Sequence, residues 1–517
     1  MGKPNILLIF TDMQRPDTIG ALGNPHIQTP NLDRLVREGT SFTRCYTPSP
    51  VCVPARCCMH YGLYPQSTGL FVNGRMMEDN GASLASRLSS GGYHTVSVGK
   101  CHFTPDPYEK RGFAERLIQE ERVTDYEKDD YRKWLLDNGH SPVEAHGERG
   151  PMYYIPQPSR FQGEAHPTEW VADRTMEKIR ELSDGEQPWC IMSSIIHPHP
   201  PLTPPAPWTK LYDPRKMPDP MIPENHEELL THINLAQNRY KWRDRGMDLN
   251  LLRVIRAYYY ATISYIDYQV GRMLEQLEQL GILDDTLVIF SSDHGEYLGD
   301  YGCYGKRSMH DPSSRVPMII RLPGRFEAGA RCMEPASLVD VLPTMTGAAG
   351  IATEDVDGLD LADVARGDCG RSHVFSQWGK GRNAIYLIAD RDWKYIYSAG
   401  EEKEILFDRL DDPRETRNAA GDEAHQEVKA NLCLRLQAYL AEKGDTEAVL
   451  SKDGTIDWVQ HPPLTRDYLK ADPDAELLFQ DEPEGLPEQM GDYTFWKGME
   501  DDRSQQAFNK RLYQGDS

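Results

Sequence analysis

A carboxylate closes the first apolar run of the chain, and a carboxylate–histidine pair closes another: Asp12 follows Ile6 to Phe10, and Asp293-His294 follows Leu287 to Phe290. If both runs are strands of one parallel sheet, these side chains converge at its carboxyl edge, where α/β proteins hold their ligands. An isolated aspartate is usually a solvated surface group. Two carboxylates and an imidazole brought to one point instead make a mostly oxygen shell suited to a hard divalent cation. A second group is local: Cys52-Val53-Pro54-Ala55-Arg56, entered from the turn Pro48-Ser49-Pro50 and followed by Cys57, Cys58 and Gly62. Taken alone, a cysteine near an arginine is a buried apolar thiol. Cys57, Cys58 and His60 invite a zinc reading, but no C-x-x-C pair exists elsewhere to complete such a site, so packing beneath Cys52 is the expectation.

The elements that must position these groups are legible as patterns. Ile6 to Phe10, Thr95 to Val98, Cys190 to Ile196, Leu287 to Phe290 and Met318 to Arg321 read as buried parallel strands. Thr29-Pro30 offers an N-cap and a first-turn proline ahead of Leu32, Leu35 and Val36, and Gly39 ends that helix. Leu252 to Leu280 is apolar at helical spacing, and Gly281 separates it from the strand at Leu287. Alternating strands and helices predict an α/β sandwich on a large, mainly parallel sheet, with the catalytic domain over residues 1–370. The strands "VFSQW", "AIYLIAD" and "WKYIYS", then a helix from Glu427 to Lys443, predict a small α+β domain over residues 371–450. The stretch 451–517 is rich in Pro, Asp and Glu. It is expected to be an arm on a neighbouring surface, a route to homo-oligomers, or a segment partly without fixed structure.

A chain of 517 residues can bury a large core, which favours an enzyme. Its net charge of -23 argues against nucleic-acid binding, because phosphate contacts need clustered Lys and Arg. A surface this acidic repels long polyanions, so an anionic substrate needs a local cationic pocket. No apolar run is long enough for a signal segment or a membrane span. Ten cysteines scattered over such a chain predict reduced thiols and a cytoplasmic protein.

C-x-P-x-R with a glycine six residues after the arginine resembles the signature of the sulfatases, formylglycine-dependent members of the alkaline phosphatase superfamily. Further segments fall in that family's order: "PNILLIFTDMQRPD", "VGKCHF", "HPHPP", "VIFSSDHGEYLGDYGCYGKRSMHD" and "LFDRLDDPRETRN". The resemblance implies an alkaline-phosphatase-like sandwich in which a dedicated maturation enzyme oxidises Cys52 to formylglycine. The hydrated aldehyde supplies two hydroxyls, one to attack sulfur and one to collapse the resulting sulfate hemiacetal. The resemblance also implies that Asp12, Cys52, Asp293 and His294 hold one divalent metal, calcium by first expectation and manganese by second. Arg56 and Lys100 would hold the nucleophile hydroxyls and sulfate oxygens, the oxyanion logic of ester displacement. His102 is the expected base. His199 and Lys306 would bind sulfate and protonate the leaving alcohol, with His199 as the acid because imidazole titrates near neutrality. Asn73, in "FVNG", is expected to contact the nucleophile or the sulfate.

Two residues depart from the family's common pattern. Met13 stands where many sulfatases have a second Asp, and a thioether is a poor ligand for a hard cation. His294 stands where Asn is common, which resembles the related phosphonate monoester hydrolases.

The expected substrate is a small, soluble sulfate monoester, a carbohydrate first and otherwise an aryl or alkyl sulfate, hydrolysed through a formylglycine-sulfate intermediate. The aromatics of "VFSQW" and "DWKYIY" read first as core. Even so, Trp378 with Lys380 and Arg382 is the expected leaving-group contact. One rival reading is a phosphonate monoester or phosphodiester hydrolase, favoured by Met13 and His294 and disfavoured by Lys100 and His102. The other is a non-catalytic binding protein on the same fold, which the retained nucleophile, lysines and histidines disfavour.

Overall fold

The computed structural model describes residues 2–121, 123, 125–148, 154–242, 248–369, 371–452, 454–462 and 464. Its strands before residue 340 are β1 (Asn5–Asp12), β2 (Thr40–Phe42), β3 (Cys45–Tyr46), β4 (His94–Gly99), β5 (Glu115–Ile118), β6 (Trp189–Pro198), β7 (Thr286–Ser292), β8 (Met318–Arg321), β9 (Arg331–Cys332) and β10 (Ala336–Ser337). After it come β11 (Val374–Trp378), β12 (Ile385–Ala389), β13 (Trp393–Ser398), β14 (Lys403–Asp408), β15 (Val449–Lys452) and β16 (Thr455–Trp458).

Alternation along β1 sets the layering. Ile6, Leu8 and Phe10 enter one core and Leu7 and Ile9 another, because successive strand side chains point to opposite faces. All five are fully buried, so both faces of the sheet are covered. The strand order is β5-β4-β6-β1-β7-β8-β2-β9, with β5 through β7 parallel. The helices Pro30–Glu38, Pro167–Ser183 and Leu249–Gln279 pack on one face, and Cys52–Tyr61, Leu84–Ser90 and Val341–Ala348 on the other.

One strand differs from the sequence expectation. β8 runs antiparallel to both β7 and β2. A parallel neighbour needs a crossover that returns the chain to the opposite edge, usually through a long helix. After Ser292 the chain has only the four-residue helix Asp311–Ser314 and short turns before Met318, so it re-enters the sheet from the carboxyl edge.

The strands β11-β12-β13-β14 form an antiparallel sheet. Its Val374, Trp378, Ile385, Leu387 and Ile396 face Tyr46, Val51, Tyr297 and Met309 of the larger unit. The opposite face lies under the helix Gln426–Glu442. β15 and β16 make a hairpin, and the rest of the expected C-terminal arm, from residue 465, lies outside the described residues. No helix among the described residues is long and apolar enough to cross a membrane. All ten cysteines are free thiols.

Candidate active site

Cys52 is the first residue of the helix Cys52–Tyr61, every residue of which is buried. Val51 precedes it in extended backbone and has no side-chain acceptor to cap the helix. Asn73 supplies one: its Oδ1 accepts the Val53 amide hydrogen at 3.0 Å. Asn73 therefore anchors the turn that carries Cys52. Burial, and then Asp12, push the Cys52 thiol up to about 12, so the unmodified side chain is a neutral thiol and a poor nucleophile.

Asp12 ends β1 and Asp293 follows β7, which pairs with β1 in register, so both carboxylates leave one sheet edge side by side. Ligand atoms of Asp12, Cys52, Asp293 and His294 all lie within 4.8 Å of one another, in full burial. Cys52 Sγ is 3.3 Å from His294 Nε2 and 3.9 Å from Asp12 Oδ1. His294 Nδ1 lies 3.0 Å from the Gly295 carbonyl oxygen, which fixes the proton there and leaves the Nε2 lone pair facing the cluster. Asp293 Oδ1 accepts the amides of Met13 at 3.0 Å and His294 at 2.9 Å. Met13 adopts a φ of 67°, and its carbonyl accepts from the Tyr259 hydroxyl at 2.7 Å. The residue that breaks the usual carboxylate pair thus serves this site through its backbone. Burial, with Asp12 beside it, pushes Asp293 up to about 7. Asp12 feels the same burial, but the cations around it, Lys100 first and then Arg56 and Lys306, hold it well below the usual carboxylate range.

Three buried cations border the cluster. Arg56, one turn along the helix from Cys52, donates from Nε to Asp293 Oδ2 at 2.8 Å and from Nη2 to Asp12 Oδ2 at 3.3 Å. Its Nη1 reaches the Lys100 carbonyl at 2.8 Å and Ser194 Oγ at 3.0 Å. Lys100 places Nζ 2.7 Å from Asp12 Oδ2 and 2.8 Å from Glu121 Oε2. It follows Gly99, whose φ of 97° and close approach to the Ser194 carbonyl, 2.0 Å from where a Cβ would sit, admit only glycine. Lys306 places Nζ 2.8 Å from Cys52 Sγ and 3.5 Å from His199 Nε2. Burial opposes the charge on both lysines. The neighbouring carboxylates oppose it, Asp12 and Glu121 at Lys100 and Asp12 and Asp293 at Lys306, and both ammonium groups are raised above their usual range.

The structure alters the expectation for His199. Burial pushes its imidazole down to about 3, against the near-neutral titration assumed from residue type. Nδ1 lies 2.8 Å from the Pro200 carbonyl oxygen, so the ring is neutral with Nε2 toward Lys306. Burial and Lys100 likewise hold His102 well below its usual range. The His102 backbone, at a φ of 61°, is pinned by its amide to Glu120 Oε1 at 3.0 Å.

The expected leaving-group contacts do not join this cluster. Trp378 is 1 % exposed, inside the core between the two sheets, which leaves it no open face for a substrate. Lys380 lies over the Phe71 ring at 4.8 Å and 3.7 Å from Glu447, and Arg382 is exposed on the surface. The zinc alternative at Cys57, Cys58 and His60 is also not formed. Burial raises the Cys57 thiol to about 12 and that of Cys58 well above its usual range, and His60 packs 5.1 Å from the Phe103 ring. Two bonded residues carry no sequence signal: Glu121 on Lys100, and Gln237, which bonds the backbone of Lys306. Neither lies in a motif, and only the fold brings them here.

Residues 4–351 match the family model described as Sulfatase, and residues 299–442 the one described as N-sulphoglucosamine sulphohydrolase, C-terminal. The chain is similar to the arylsulfatase of Clostridium perfringens (strain 13 / Type A), 30% identical over 459 residues covering 82% of this chain and 92% of that protein. It is similar to the choline-sulfatase of Rhizobium meliloti (strain 1021), 31% identical over 437 residues covering 81% and 83%. In fold it is like the phosphonate monoester hydrolase SpPMH from Silicibacter pomeroyi, with TM-score 0.73 and 24% identity over 88% of this chain and 99% of that one. The matched span takes in Cys52, both carboxylate segments and Lys306, and so the chain is an enzyme of the sulfatase family, built on the alkaline phosphatase fold.

Proposed function

We propose that the protein hydrolyses the sulfate monoester of a small soluble compound, a sulfated carbohydrate first and otherwise an aryl or alkyl sulfate, after a maturation enzyme converts Cys52 to formylglycine. One observation carries this reading. The side chain of residue 52 sits at the meeting point of two carboxylates, an imidazole and the Lys306 ammonium, the place for a nucleophile that a cation and an ammonium group both face. The carbohydrate choice is supported by the match of residues 299–442 to a sulphoglucosamine sulphohydrolase segment.

The donor set fits a divalent cation: two carboxylates, an imidazole with its outer nitrogen tied to a carbonyl, and the position-52 side chain. Such an ion, calcium first and manganese second, would be held by Asp12, residue 52, Asp293 and His294. It would supply Lewis-acid charge at the nucleophile and the ester oxygens. Arg56 holds Asp12 and Asp293 in place and opposes the rise that burial causes in Asp293. Lys100 and Lys306 bind the anionic oxygens of the ester. An ester that enters beside His199 brings the negative charge that burial withholds, raising the proton affinity of Nε2 so that the imidazole can protonate the leaving oxygen. His102 is the base that removes the proton of the second hydroxyl. Residues 1–370 carry the chemistry in this reading, and residues 371–450 form a second domain behind the Lys306 loop.

A second reading, phosphonate monoester hydrolysis, draws on His294 as a nitrogen donor. A kinetic panel of aryl sulfate, aryl phosphonate ester and sulfated mono- and disaccharides, run with fully matured enzyme, separates the two. kcat/KM is expected to be higher for the sulfate ester than for the matched phosphonate ester, and the reverse order overturns the proposal.

A further inference from the structure

Glu121 places a carboxylate where an anion-binding site should not want one. Its Oε2 is 2.8 Å from Lys100 Nζ and its Oε1 is 3.8 Å from His199 Nδ1. The Glu121 side chain is 11 % exposed, whereas that of Lys100 is fully buried, so the acid lies on the solvent side of the ammonium. Lys100 is thereby held between two carboxylates, and its field on an incoming anion is largely compensated.

The charges in the bonded cluster can be summed. Asp12, Asp293 and Glu121 bring three negative charges, and Arg56, Lys100 and Lys306 bring three positive ones. His199 and His294 enter as neutral rings, each with Nδ1 turned to a backbone carbonyl, that of Pro200 at 2.8 Å and of Gly295 at 3.0 Å. Counted over these six described residues, the charges cancel. On the functional reading above, a divalent cation leaves two positive charges, and an ionised nucleophile leaves one. That single charge balances an ester carrying one negative charge. Without Glu121 the balance would be two, which suits a dianion.

We infer that Glu121 is a specificity-determining residue that tunes the pocket to monoanionic esters and against dianionic phosphate monoesters. The inference uses the proposed metal and nucleophile but not the choice of sulfur over phosphorus, since sulfate monoesters and phosphonate monoesters both carry one charge. A phosphate monoester loses its second proton near pH ~6 and is a dianion at pH ~8.

The test measures kcat/KM of the matured, metal-loaded full chain at pH ~8 for 4-nitrophenyl sulfate, 4-nitrophenyl phenylphosphonate and 4-nitrophenyl phosphate. In Glu121→Gln the phosphate-to-sulfate ratio is expected to rise about tenfold or more, with the phosphonate-to-sulfate ratio within about threefold of wild type. Glu121→Asp keeps the charge and should keep the wild-type ratios, as should Glu278→Gln, which removes an exposed charge at the end of the helix Leu249–Gln279. An unmoved phosphate-to-sulfate ratio in Glu121→Gln, or equal movement of both ratios, overturns the inference. Should Glu121→Gln lack a cooperative melting transition, the wild type still decides. Its phosphate-to-sulfate ratio must climb as pH falls below ~6 and the phosphate ester becomes a monoanion, and a flat ratio overturns the inference. A wild type that prefers phosphonate to sulfate esters removes the sulfatase proposal and leaves the Glu121 comparison intact.

Discussion

The side-chain amide of Gln237 grips the peptide of Lys306 from both sides: its Oε1 accepts the Lys306 amide hydrogen at 3.0 Å, and its Nε2 donates to the Lys306 carbonyl. Gln237 is 1 % exposed and so has no alternative in solvent. Lys306→Ala should lower kcat/KM for an aryl sulfate by about 10²- to 10³-fold, the usual cost of removing one charged donor from such a site. Gln237→Met, close in shape and without the hydrogen bonds, should cost about tenfold when Lys306 is present and nothing further in Lys306→Ala. Equal losses in both backgrounds would reduce Gln237 to a packing residue.

Activity should depend on a change at Cys52 that the gene does not encode. Peptide mass spectrometry of active enzyme should find the segment around residue 52 with sulfur lost and an aldehyde or its hydrate gained. Cys52→Ser should lose turnover, because a serine sulfate ester has no second hydroxyl for its collapse. Cys57→Ser and Cys58→Ser should keep activity where they fold. Full activity from a quantitatively free Cys52 thiol would overturn the mechanism.

Asp293 serves two partners at once, the proposed metal and the Arg56 guanidinium. Asp293→Ala would strip the metal and also leave the fully buried Arg56 short of a partner, at a cost of about 3–5 kcal/mol. Asp293→Asn keeps the shape and an acceptor for the guanidinium. Elemental analysis of Asp293→Asn should show metal well below one ion per chain, with activity lost in proportion and a melting transition retained. Full occupancy in that variant would remove Asp293 from the donor set.

Acid should destabilise the fold earlier than carboxylate titration alone would require. Burial holds His60, His199 and His310 down to about 3 and His166 to about 4, while unfolded histidine titrates near ~6.5. Between those values the unfolded chain binds more protons than the folded one. The contribution is therefore complete well above pH ~6.5 and is lost as pH falls, by about 1 kcal/mol per histidine over the first unit below it. The Tm of metal-loaded protein should drop steadily from pH ~7 to ~5, and His60→Leu should flatten that slope whatever it does to the Tm at pH ~8. An unchanged slope would mean that His60 protonates freely in the native state.

Legibility in the sequence followed the range of the interactions. The apolar runs of β1, β4, β6 and β7 and the helices around Leu32 and Leu252 are local periodic signals, and they lie within a few residues of where they were expected. The direction of β8 was not readable, because it depends on which edge the chain leaves from and not on its own residues. Convergence of Asp12 with Asp293-His294 was readable once both were taken as strand ends. Glu121 and Gln237 were not, since a carboxylate and an amide outside any motif acquire meaning only from what the fold sets beside them. His199 shows a further limit: its type suggests neutrality in titration, whereas its surroundings decide otherwise.

If Cys52 is matured as proposed, the burial of the helix Cys52–Tyr61 imposes an order on events in time. Cys52 is 2 % exposed, at the head of ten buried residues that make up one wall of a core shared with β1 and β7. An oxidising enzyme would need access to residue 52, which the packed helix does not give. β7, which closes that core beside β1, begins at residue 286, more than two hundred residues downstream of Cys52. On that proposal, the interval in which the nascent chain has presented residue 52 but has not yet supplied its covering strand would be the window for maturation. Substitutions that hasten early collapse would yield well-folded protein with a permanently silent thiol.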